Sequence, residues 1–83
     1  MLRHGNLLLR QIPEPEKVLT VAEVAAFTLA THILTGRIAP ATVEVSKGTV
    51  IPVVHVLEPS FLIHEEHHAL TVEPGWYEIV QHV

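Results

Sequence analysis

The chain has 83 residues, enough for a single domain over 1–83 and too few for a second core. It has no cysteine, which excludes disulfides and thiolate metal sites, and five Lys/Arg against nine Asp/Glu, which removes the basic footprint of a nucleic-acid binder. Hydrophobic residues make up 48% of it and charged residues only 17%, an excess that points to apolar patches covered by other copies of the chain.

In chain order, Gly5–Ile12 is an apolar run stopped by Pro13 and Pro15, and it reads as a first strand. Residues 18–35 are ambiguous. Val21, Val24, Ala25, Thr28 and Leu29 follow helical spacing, whereas Val18, Thr20, Val21, Val24, Thr28, Thr31, Ile33 and Thr35 are β-branched, and no start cap is present. Two strands are expected, with one short helix within 21–34 as the alternative.

Beyond Gly36 the pattern is clear. Thr42–Ser46 alternates, with Val43 and Val45 on one face, and Lys47-Gly48 reads as a hairpin turn. Val50–Leu57 returns as an apolar strand, in which Pro52 calls for an edge or a bulge. Glu58-Pro59-Ser60 is a turn, Phe61–His64 a strand, and Leu70–Val72 leads into a type II turn at Pro74-Gly75. Trp76–Val83 closes the chain. Six or seven short strands fit a mainly β fold, a small single-domain sandwich or barrel.

Every long apolar stretch is broken, by Glu23, His32, Pro52 or His55, so no membrane span is expected. Met1–Gly5 lacks the layout of a secretory signal, and a cytoplasmic location is the expectation.

The chemistry-bearing residues concentrate in His64-Glu65-Glu66-His67-His68, among seven histidines in all. Imidazoles and carboxylates suit zinc or another divalent transition metal. His64, Glu65 and His68 match the metalloprotease pattern H-E-x-x-H, but that motif works on a helix and the flanks here are strand-like. On a continuous strand, positions i and i+4 lie ~13 Å apart, too far to share one ion. A metal would need a bend here or ligands from another strand, which makes His32, His64, His67 and His68 the candidate ligands. The competing expectation is a polar turn whose histidines bond to backbone and water.

Other catalytic arrangements find no support. Ser46 and Ser60 are the only serines and neither has a nucleophile-elbow sequence; aspartate is absent, and four scattered glycines make no phosphate loop. No catalytic or organic-cofactor residue is assigned.

Arg3-His4-Gly5-Asn6-Leu7-Leu8, His64-Glu65-Glu66-His67, Leu70-Thr71-Val72 and Pro74-Gly75-Trp76-Tyr77 resemble a group of small bacterial proteins with a HEEH…PGxY pattern. The likeness covers residues 58–81 and the N-terminus. In that group two histidines flank one residue in the middle segment, whereas Ala30-Thr31-His32 keeps only the second. The resemblance implies a β fold and brings no established function. A looser likeness is to cupins, small metal-binding β-barrels; their H-x-H arrangement is missing here, and the chain is short for that barrel.

Two functional expectations result. The first is a non-catalytic, self-associating structural or interaction module, with an exposed face drawn from Ile51, Val53, Val54, Val56 and Trp76. The second is a small histidine-rich protein binding a divalent metal, with a cupin-like metal-dependent enzyme behind it. Homo-oligomerisation is expected, a protein partner is compatible, and full protonation of the histidines would carry the formal charge from −4 to +3.

Overall fold

The computed structural model describes the backbone of residues 2–4, 7–29, 32–64 and 67–81. These described residues form nine strands: β1 (Leu2–His4), β2 (Leu7–Ile12), β3 (Val18–Val21), β4 (Val24–Leu29), β5 (His32–Ser46), β6 (Thr49–Val56), β7 (Ser60–His64), β8 (His67–Val72) and β9 (Gly75–Gln81). Every pairing is antiparallel, and the sheet curls into a half-barrel whose terminal strands β1 and β8 approach each other. The mainly β expectation is met with more and shorter pieces at the ends. No helix forms over the described part of 21–34, where the β-branched residues outweigh the helical spacing.

The fifteen-residue β5 is the spine. Its first half pairs with β4 on one side and β7 on the other; its second half pairs with β3 and β6. From β6 the sheet continues through β9 and β2 to β1, and from β7 to β8. The partner change falls at Gly36, whose φ of 141° is the kind of backbone that side chains resist. Gly48 turns the β5–β6 hairpin with a φ of 83°, as its position after Lys47 foretold. Gly75 takes a φ of 152° instead of the ~80° of a type II turn, because it already opens β9. Pro52 pairs with Thr42 of β5, and the β6–β9 ladder begins only at Val53, so the missing N–H costs no ladder bond to β9.

The inner face of the curl holds Leu9, Leu29, Leu34, Ile38, Val54, Val56, Leu62, Val72 and Tyr77. A second cluster on the opposite face gathers Ala41, Val43 and Val53, with Ile12, Val18, Ile51 and Trp76 packed against it. Adjacent Val53 and Val54 are thus both fully buried, each in a different cluster. β6 is covered on both faces at Val53 and Val54, which is why its apolar residues do not alternate there. Full burial of each such side chain contributes ~1.5–3 kcal/mol, and Leu34→Ala in the middle of β5 would cost ~2–5 kcal/mol.

Candidate functional site

His32 opens β5, and the residue after it, Ile33, pairs with Ile63 of β7. Antiparallel register therefore sets His32 across from His64, and their rings stand 4.5 Å apart between centroids, tilted by 39°. His32 is buried (2% exposed), with Leu29 as its neighbour on β4, whereas His64 is half-buried. On the far side of His64, the Cα partner across the β7–β8 ladder is His67. The ladder shifts register between Leu62 and His64, so an irregularity sits at this point of the sheet.

In the histidine stretch, β7 ends at His64 and β8 begins at His67. Three residues apart in sequence, the two become cross-strand neighbours instead of same-strand residues. Strands on both sides also remove the helix that H-E-x-x-H chemistry requires. Of the four candidate ligands, His32 and His64 are in contact, His67 is aligned by its backbone with its side chain outside the described residues, and His68 is exposed. Among the described residues no three His, Cys, Asp or Glu side chains converge on one point. Glu65, Glu66 and the terminal His82 lie outside the described residues, as does the side chain of His4.

His55 plays a different part. It lies flat on Trp76, its partner across the β6–β9 ladder, with centroids 4.1 Å apart and planes within 9°.

A family model described as a domain of unknown function (DUF8820) matches residues 3–82. The chain belongs to this family. No curated protein and no solved structure matches it. The matched span takes in both the His32–His64 contact and the sheet face described next, so both are features of a DUF8820 domain.

That face is the outer side of β4, β5, β7 and β8. One row runs Ala26, Thr35, Phe61, Thr71 across the four strands, and a second runs Thr28, Ile33, Ile63. Phe61 (51%), Ile33 (43%) and Ile63 (41%) stand exposed, and neither row contains a charge. The sequence reading placed the exposed apolar face elsewhere. Val53, Val54 and Val56 prove to be interior, and Ile51 and Trp76 are half-buried against Val53. The overlooked signal is the alternation Ser60-Phe61-Leu62-Ile63-His64, in which Ser60, Leu62 and His64 turn inward and leave Phe61 and Ile63 outside.

Two hollows are formed by the described residues of this DUF8820 domain. One of about 430 Å³ is bounded by Phe27, Thr28, Leu29, Pro52 and Ile79 and is mainly apolar. The other, about 600 Å³, lies between Pro13–Lys17 and Val43–Lys47, where Lys17 and Glu44 approach to 3.5 Å.

Proposed function

We propose that this DUF8820 domain is a non-catalytic building block whose copies pair through the outer face of β4, β5, β7 and β8. The observation that supports it is the pair of uncharged rows centred on Ile33, Phe61 and Ile63. Exposed apolar side chains gathered on one face are the usual mark of an interface. The occupant is a second copy. Each chain carries a formal charge of −4, so two copies meet most favourably where neither brings a charge, and no ion is buried when they do. Threonine and isoleucine rows on a twisted sheet can interdigitate with an identical face at the ~10 Å spacing of stacked sheets.

Size sets the strength. Four strands at ~4.8 Å and two rows ~7 Å apart give an apolar patch of roughly 15–20 Å by 10–15 Å, about 150–300 Å² and well short of the ~800 Å² per partner of a standard interface. The dimer is correspondingly weak and concentration-dependent. Sedimentation velocity on untagged protein, from low to high micromolar, should show the average mass rising from monomer towards dimer. Phe61→Glu, a change at an exposed position, should hold the protein monomeric without lowering its melting temperature. A wild type that stays monomeric throughout, or a variant that associates equally well, would sink the proposal.

A further inference from the structure

We infer that the outer edge of β4 takes up an extended segment of another protein as an added antiparallel strand, whose alternate apolar side chains enter the hollow beside it. This goes beyond the pairing of copies proposed above, and it uses the edge of β4 instead of its outer face.

The edge is the first observation. β3 and β4 lie on one flank of β5, and each pairs with β5 alone among the described residues. The opposite edge of β4 therefore presents a row of backbone N–H and C=O groups along Val24–Leu29. Edge strands are ordinarily guarded by lysine, proline or an inward-pointing charge. Val24-Ala25-Ala26-Phe27-Thr28-Leu29 carries none of these.

The hollow is the second. Its described walls are Phe27, Thr28 and Leu29 of β4, Pro52 of β6 and Ile79 of β9, with none from β5. It therefore opens on the side of β4 away from β5 and reaches across the curl of the sheet. Its volume, about 430 Å³, is ample for large apolar side chains, and no charged residue is among those walls.

The two features together define the occupant. A small apolar molecule would fill the hollow and leave the edge unpaired. An extended polypeptide supplies backbone partners for the edge and, at every second residue, a side chain for the hollow. The β4 of a second copy fits less well, because its Val24 and Phe27 pack against its own core and its Leu29 is 4% exposed within that core. A segment without a core of its own has such side chains to give. The formal charge of −4 favours basic ends on that segment, by charge complementarity.

The test uses Phe61→Glu protein, which removes the pairing of copies, and the capped octapeptide Lys-Thr-Leu-Thr-Phe-Thr-Leu-Lys, labelled for fluorescence anisotropy. Saturable one-to-one binding is expected, and amide hydrogen exchange over Val24–Leu29 should slow when the peptide is added. Pro52→Glu alters an exposed wall of the hollow and should weaken binding roughly tenfold or more, with circular dichroism verifying the fold. Alternate N–H groups of a strand point to opposite edges. Methylating the peptide's Leu and Phe amides, and separately its Thr amides, should therefore abolish binding in one case only. Absence of saturable binding, undiminished binding to Pro52→Glu, or no difference between the two methylated peptides overturns the inference. Phe61→Glu protein that dimerises with β4 already protected assigns the edge to a second copy, and overturns it too. Monomeric Phe61→Glu protein that ignores the peptide overturns this inference alone and leaves the pairing of copies standing.

Discussion

Gly36 and Ser60 meet so closely that no side chain fits between them. A Cβ on Gly36 would lie 2.1 Å from Ser60 Oγ and 2.8 Å from its Cβ, at a φ of +141° that already disfavours any side chain. Here β5 exchanges β7 for β6, and the turn between those two strands closes onto it through the Leu57 amide, which donates to the Arg37 carbonyl at 2.9 Å. Gly36→Ala combines overpacking with backbone strain and should cost about 3 kcal/mol. Ser60→Gly removes the two closest atoms but leaves Cα 3.2 Å from the new methyl. The pair should therefore couple: in a urea-denaturation cycle the double variant should be ~1–2 kcal/mol more stable than the sum of the singles implies. Simple additivity would mean that the steric contact is not the cause.

Ser60 also allows a gentler test of the same turn. Its hydroxyl is fully buried and donates to the Glu58 carbonyl at 2.8 Å, tying the turn to itself. Ser60→Ala keeps the Cβ and removes this bond alone, so a loss of ~1 kcal/mol is expected. An unchanged urea midpoint would show that the bond contributes nothing net.

Tyr77 gives the fold a sensitivity to alkali. Its side chain is buried in the inner core, and its hydroxyl donates to the Glu73 carbonyl at 2.7 Å across the β8–β9 turn. Burial, reinforced by the Glu73 carboxylate, pushes its pKa above the ordinary 10.0. With the folded value above the unfolded one, the contribution is complete below pH 10.0 and is lost as pH rises through the folded value. Tyr77→Phe should cost ~1 kcal/mol at neutral pH and lose less stability than the wild type on going to more alkaline solution. Thermal melts across that range make the comparison; parallel curves would refute the assignment.

What the sequence disclosed depended on how locally each feature is determined. The hairpin at Lys47-Gly48 and the strands around Val43, Val54 and Ile79 follow from turn chemistry and β-branched content, and both are local. Burial on β6 was harder to read, because apolar residues without alternation fit a strand covered on both faces as well as one that leaves Ile51 and Val53 outside. Which face of β7 turns outward depends on register with β5, a relation between residues about thirty positions apart. The histidine row hid for the same reason. His32 and His64 meet only because Ile33 pairs with Ile63, and no spacing rule within one segment expresses that.

Arg37 joins both flanks of β5 with one side chain. Its Nε donates to Glu23 at 2.8 Å, ahead of β4, and its Nη1 donates to Glu58 at 3.3 Å, in the turn between β6 and β7. The hydrogen bond and positive charge of Arg37 hold the Glu23 carboxyl below its ordinary value of 4.5. With the folded value below the unfolded one, the contribution is present above pH 4.5 and fades as pH falls through the lowered value. Both partners are exposed, so the effect is small and salt screens it. Glu23→Gln should flatten part of the acid limb of a stability–pH curve at low ionic strength, and the difference from wild type should shrink in ~1 M salt, where the Debye length is ~3 Å. Arg37→Gln should lower stability at neutral pH more than Glu23→Gln does, because it leaves two carboxylates without their cation. Equal losses in the two variants would instead assign the whole effect to the Glu23 pair and leave Glu58 a bystander.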